Sequence, residues 1–339
     1  MAEIAVIDST LRKIDVETFG RHLETFSFDH LSLDHGTIDG PIDPSYDLSS
    51  YRALYVRVGQ VTESVLDRAP ELELVSTCGS GYDHVDVEAA TERGVMVTHT
   101  PEAPAPGAVE HTFGFIFSLL CELPTMFERT ANGGWGEGQT VVGELYDRTI
   151  GVVGLGTIGS KVAQIAATQF DANVVAYDPY VAGERETAIY PRISREEVER
   201  HGIELIDIAD LFETASLVTM HVPLTAETER MVGIDEFEAL EGGYFLNLSR
   251  GGVVDEAALI EAVDRDLLAG VALDVMETEP PESSNPLLSA PEVYVTPHIA
   301  GGKEGYARRS AEINAKRIEA ALAGDRPEKV VNPDVFTID

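Results

Sequence analysis

Short apolar runs rich in β-branched residues alternate with helix-patterned stretches along almost the whole chain, and nothing else in the sequence constrains the fold as strongly. EIAVID (3–8), RALYVRV (52–58), LELVSTC (72–78) and VMVTHT (95–100) form a first series. TIGVVG (149–154), NVVAYD (173–178), SLVTMHV (216–222), YFLNLS (244–249), GVALDV (270–275) and VYVT (293–296) form a second. Near-continuous apolar strands joined through helices lie parallel and are covered on both faces, so the pattern predicts an α/β fold. The strands are too many for one small sheet, and the proline-rich PEAPAPG (101–107) is the best interior break. A helical pattern over 303–323 closes the chain.

GVVGLGTIGS places Gly154, Gly156 and Gly159 in a G-x-G-x-x-G spacing directly after one strand and at the opening of a helix, with Thr157 and Ile158 between them. The first glycine of such a loop permits a tight turn and the second lets a pyrophosphate approach the backbone. The third lets helix and strand pack closely, while the helix N-terminus faces the negative charge. Asp178 ends the next strand, where a carboxylate can accept the ribose hydroxyls of NAD and would repel the extra phosphate of NADP. Arg185, nearby in sequence, is the one cation that could offset that preference.

Three later strands each end close to a charged or titratable residue: Arg250 in NLSRGGVVDEAAL, Glu279 in GVALDVMETEPP and His298 in VTPHIAGG. Taken singly, these suit a salt bridge, a loop acid and a capping histidine equally well. In open α/β sheets, however, ligands bind beyond the carboxyl ends of the strands, so the three could converge. An arginine offers a planar fork to a carboxylate, and a histidine oriented by a glutamate can move a proton near neutral pH.

These stretches, with GSGYDHVDVEAATERGV (79–95), AVEH (108–111), LYDRTIGVVGLGTIG (145–159) and HVPLTAETERMV (221–232), resemble the D-isomer-specific 2-hydroxyacid dehydrogenases from about residue 50 to 320. The resemblance implies an NAD-dependent enzyme that interconverts a D-2-hydroxy acid and its 2-oxo acid. It implies a flavodoxin-like substrate domain of residues 1–103 and 297–339, and an inserted NAD-binding Rossmann domain of residues 104–296, with a cleft between them. By the same resemblance His298 is the acid–base catalyst and Glu279 holds its ring and raises its pKa. Arg250 binds the substrate carboxylate, and the N–H groups around Gly79, Ser80 and Gly81 form a second carboxylate clamp. Val222 and Pro223 correspond to the adenosine side, Leu248 and Ser249 lie beside the cofactor, and Asp274 contacts the nicotinamide amide. Arg57 could reach a distal group of the substrate, and no metal is required. ANGGWGEG (131–138), with Trp135, resembles the region where family members form homodimers. Two departures fall near the clamp: His84 stands where the family usually has asparagine, and His99, Pro101 and Pro104 replace its N-x-P-x-x-N pattern. A dinucleotide-sensing, corepressor-like binding protein on the same fold is the rival reading, since fold does not fix function.

Charge narrows the partners. Fifty-nine acidic residues against 24 basic ones give a net charge of −35, spread along the chain. Such a field repels phosphate backbones and anionic membrane, so neither nucleic acid nor a membrane is an expected partner. No apolar run reaches the roughly 18 residues of a membrane span. The first residues carry no signal-peptide pattern, and Cys78 and Cys121 lack disulfide or metal spacing, so a cytoplasmic protein is expected. An acidic, lysine-poor surface suits a salt-loving source, where dense salt screens self-repulsion. Diluting salt from 1 M to 0.01 M stretches the screening length from about 3 Å to about 30 Å. The melting temperature is therefore expected to fall as KCl is lowered from molar to millimolar. A melting curve independent of salt would contradict this.

Overall fold

The computed structural model describes residues 2–9, 12–34, 40–135, 142–181, 183 and 193–337. Two compact units result, Met1–Ala105 with Gly302–Asp339, and Pro106–Gly301. The units divide after Ala105 and after Gly301, which leaves Pro297–Gly301 with the second unit. The reason is local: a buried carboxylate, described below, holds that segment.

The first unit contains β1 (Ile4–Ser9), β2 (Phe28–Leu33), β3 (Ala53–Val56), β4 (Leu74–Thr77) and β5 (Met96–Thr98). They form one parallel sheet in the order β2-β1-β3-β4-β5, a doubly wound, flavodoxin-like arrangement. Successive residues of a strand face opposite sides, and both sides are covered. Ile4, Val6, Tyr55 and Leu74 pack with Ala311, Ala315 and Ile318 of the helix Tyr306–Leu322. Ala5, Ile7, Leu54, Val56 and Val75 pack with Val65, Leu66, Ala89 and Ala90 on the other face.

The second unit contains β6 (Thr149–Val153), β7 (Asn173–Tyr177), β8 (Glu204–Leu205), β9 (Leu217–Met220), β10 (Tyr244–Asn247), β11 (Gly270–Leu273) and β12 (Val293–Val295). The parallel order β12-β11-β10-β9-β6-β7-β8 places the first strand centrally, so the winding reverses between β6 and β9. That reversal opens the crevice in which Rossmann sheets bind dinucleotides. The helix Ala105–Leu120 contributes Phe113, Ile116 and Leu120 to one covering layer, against Ile150, Val152 and Leu246. Phe212, Phe237 and Leu259 cover the opposite face. Pro106 sits in the first turn of its helix, where its missing N–H costs nothing.

Two edge strands, β2 and β8, escape the sequence reading. FDHLSL interleaves Asp29, His30 and Ser32 with its apolar residues and is mostly solvated, and Glu204–Leu205 is too short to show a period. Among the described residues no helix is long and apolar enough to cross a membrane.

Candidate functional site

The glycine loop follows β6. Gly154 has φ +92°, and a Cβ there would lie 2.7 Å from the His221 carbonyl, so only glycine fits on both counts. A Cβ on Gly159 would lie 1.9 Å from the Gly154 carbonyl, which shows how closely the helix Gly159–Gln169 approaches the strand. Gly156 differs, because a Cβ there would meet nothing within 4 Å. Packing does not require that glycine, and the open space suits a ligand. The N–H groups of Gly156, Thr157 and Ile158 meet no protein acceptor among the described residues, so they point open donors from a helix N-terminus. These features fit a pyrophosphate. Val222 borders the loop against Gly154, and the Pro223 carbonyl accepts from Thr228 Oγ1 at 2.5 Å.

Asp178 is 4 % exposed at the end of β7. Its Oδ2 accepts the Leu155 N–H at 2.9 Å, and its Oδ1 accepts those of Tyr180 at 3.0 Å and Val181 at 3.2 Å. The carboxylate therefore ties the glycine loop to the next strand, a structural role the sequence reading did not assign. Arg185 lies outside the described residues, as do Gly136, Glu137 and Gly138 of the ANGGWGEG stretch.

The loops after β10, β11 and β12 carry Arg250, Glu279 and His298, all within the second unit. Asn247 is buried; it accepts the Ser249 N–H at 3.0 Å and donates to the Arg250 carbonyl at 2.8 Å. This fixes the path of Leu248, Ser249 and Arg250, and Arg250 Nη1 donates to the Ser249 carbonyl at 2.8 Å. A Cβ on Gly251 would sit 2.0 Å from backbone atoms of Met276, so this loop presses against the one that leads to Glu279. His298 Nδ1 bonds Glu279 Oε2 at 2.7 Å, while Glu279 Oε1 accepts the Met276 N–H at 3.3 Å. Burial works against the Glu279 charge. The His298 hydrogen bond and charge, the Met276 N–H and the Arg250 charge outweigh it and lower its pKa. With Nδ1 bonded to the carboxylate, Nε2 of His298 is left without a protein partner among the described residues.

His298 has φ +50°, a left-handed backbone that needs external support. Asp274, 1 % exposed, provides it. Its backbone carbonyl accepts the His298 N–H at 2.9 Å, and its side chain accepts Thr296 Oγ1 at 2.6 Å, the Ile299 N–H at 2.9 Å and the Ala300 N–H at 2.8 Å. His111 Nε2 bonds Thr296 Oγ1 at 3.1 Å and extends the chain to the AVEH helix. A lone aspartate after a strand gives no hint of this fastening role in sequence.

In the first unit the loop after β4 holds Gly79, Ser80 and Gly81. The carbonyl of Cys78 accepts Tyr306 Oη at 3.0 Å, that of Gly79 accepts the Thr100 N–H at 2.7 Å, and that of Ser80 faces His99 Nδ1 at 2.8 Å. A trans peptide points its C=O and N–H in opposite directions. Three pinned carbonyls therefore leave three successive N–H groups open, and none of them meets a protein acceptor among the described residues. Such a concavity of N–H groups suits an anion. Arg57, just after β3, stacks over the Tyr306 ring at 4.7 Å, and its Nη1 lies 3.6 Å from Cys78 Sγ. Its buried Nε has no acceptor among the described residues.

The reversed winding, the open glycine loop and the carboxylate at the end of β7 define a Rossmann-type dinucleotide-binding unit. A family model described as the NAD binding domain of D-isomer specific 2-hydroxyacid dehydrogenase matches residues 113–300, and the chain belongs to that family. A D-3-phosphoglycerate dehydrogenase of Methanocaldococcus jannaschii is 36% identical over 282 residues, covering 82% of this chain and 51% of that protein. A glyoxylate reductase of Thermofilum pendens is 34% identical over 284 residues, covering 82% of this chain and 80% of that protein. The crystal structure of a D-lactate dehydrogenase from Aquifex aeolicus, complexed with NAD and lactic acid, superposes with a TM-score of 0.80 at 27% identity. That match covers 95% of this chain and 96% of the other. The chain spans about half the length of the phosphoglycerate dehydrogenases it matches.

The two kinds of glycine separate experimentally. Gly159→Ala forces a methyl group into backbone and should cost about 1–3 kcal/mol, read as a lower urea midpoint. Gly156→Ala should leave that midpoint unchanged, because the space beside it is open. Equal midpoints for the two variants would contradict the assigned packing.

Proposed function

We propose that this protein is an NAD-dependent oxidoreductase that interconverts a D-2-hydroxy acid and its 2-oxo acid. The observation that carries the reading is the Glu279–His298 hydrogen bond of 2.7 Å, which leaves the outer imidazole nitrogen available for proton transfer. The bound nicotinamide supplies the hydride acceptor or donor. Gly154, Gly156, Thr157, Ile158 and Gly159 hold the pyrophosphate, Asp178 the ribose, and Val222, Pro223, Leu248 and Ser249 line the rest of the cofactor site. Asp274, in this reading, serves the nicotinamide site by keeping its loop in place.

Oxidation requires that the C2 hydroxyl lose a proton as hydride leaves C2. His298 Nε2 takes that proton and, in the reverse direction, returns it to the carbonyl oxygen of the 2-oxo acid. Glu279 keeps Nδ1 protonated, so that only Nε2 exchanges. Arg250 binds the substrate carboxylate and stabilises the oxygen that gains charge. The open N–H groups of Gly79, Ser80 and Gly81 serve as a second carboxylate site, and Arg57 meets a distal group. Assembly as a homodimer fits the same reading, supported by the exposure of Phe127, Trp135 and Tyr146.

Turnover of a panel of 2-oxo acids with NADH at high salt tests the activity, and an inert wild type would refute it. His298→Asn suits the left-handed backbone and keeps a donor toward Glu279, but lacks Nε2. It is expected to lose about 10²–10⁴-fold in kcat with NADH affinity intact, and a variant with near wild-type turnover would remove His298 from the chemistry.

Cofactor preference is a separate outcome. A 2′-phosphate beside Asp178 would face like charge in a crevice only partly open to water, so kcat/KM should be higher for NADH than for NADPH. Equal values with one good 2-oxo acid at high salt would show that Asp178 acts only as a fastener.

A further inference from the structure

The three carbonyls that shape the 79–81 loop are held by groups of different kinds. Tyr306 and Ser310 hydroxyls hold that of Cys78, and the Thr100 N–H holds that of Gly79. The Ser80 carbonyl has one partner among the described residues, the ring of His99 at 2.8 Å. A carbonyl only accepts, so Nδ1 of His99 is the protonated nitrogen.

The ring is itself immobilised. His99 has no exposed surface, and Tyr82 packs edge-on against it at 5.6 Å. The His99 carbonyl accepts Arg317 Nη1 at 2.7 Å, and Arg317 Nη2 pairs with Glu102 at 3.0 Å. Burial first, and then the charges of Arg317 and Lys329, lower the pKa of the ring despite the opposing influence of Ser80 and Glu102. It is held as a neutral imidazole with a single N–H to place.

We propose that His99 is a positioning residue for substrate binding: by donating from Nδ1 to the Ser80 carbonyl, it aims the Gly81 N–H at the carboxylate of the 2-oxo acid. This rests on the dehydrogenase reading in taking the 79–81 loop as a carboxylate site. The family resemblance leads one to expect asparagine at position 99. In asparagine the amide nitrogen is bonded to Cγ, as Nδ1 is in histidine, so the two side chains can present a donor at the same place. Phenylalanine keeps a ring for Tyr82 to pack on and removes the donor.

Steady-state kinetics of His99→Phe and His99→Asn, with NADH titrations and melting curves beside them, test the inference. Leaving the Ser80 carbonyl unsatisfied and its peptide free to turn should raise KM for a good 2-oxo acid about tenfold in H99F. Saturating kcat should stay within about twofold, as expected where a uniform binding interaction is lost, and NADH affinity should not change. H99N should bring KM back near wild type. An unchanged KM in H99F, equal impairment of both variants, or a loss shared with NADH binding would overturn the proposal. A wild type inert toward every 2-oxo acid would instead sink the dehydrogenase reading. Calorimetric titration with oxamate then decides the inference alone: weaker binding in H99F only supports it, and equal binding in all three proteins overturns it.

Discussion

Parallel pairing is the constraint on which the rest of the structure depends. Every strand ladder in both sheets is parallel, so each strand must be followed by a crossover, and the loops that leave the carboxyl ends share one edge of their sheet. Arg57, Gly79 and His99 follow β3, β4 and β5. Gly154, Asp178, Val222, Leu248, Asp274 and Thr296 follow β6, β7, β9, β10, β11 and β12. Chemistry-bearing residues far apart in sequence come together within each unit because no other edge offers such loops.

Loops alone would not hold a hydrogen bond such as that between Glu279 and His298 in place. The structure answers with buried polar side chains that fasten backbone. Asp178 gathers three N–H groups, Asn247 clamps the turn at Arg250, and Asp274 anchors the segment around His298. A buried polar side chain is costly unless it is hydrogen-bonded, and each of these is. Polar groups placed beneath the loops are satisfied by the backbone they hold in shape.

Much of this was legible in the chain. Apolar runs marked the buried strands, since a strand covered on both faces cannot hide its composition. The edge strands β2 and β8 were missed because half-solvated or very short segments carry no such mark. The glycine spacing revealed the phosphate loop, and Arg250, Glu279 and His298 stood out through their placement after strands and the family resemblance. The fasteners did not. In sequence Asp274 stands out only for a cofactor contact implied by the resemblance, and His99 only as a departure from the family pattern; their partners are mostly backbone atoms, which leave no trace in side-chain pattern. Asp178 was noticed for its possible ligand and not for the three N–H groups it holds.

That last residue joins two properties usually discussed apart. A chain that drifted toward a phosphorylated dinucleotide would first have to remove the negative charge at the end of β7. Doing so would release Leu155, Tyr180 and Val181 together and loosen the turn that holds the glycine loop. The route to a new cofactor therefore crosses a less stable intermediate unless a neutral acceptor, or a second substitution nearby, takes over those bonds first. On the proposed role of Asp178, one side chain would serve both the cofactor and the turn beneath it, so that changing the one disturbs the other.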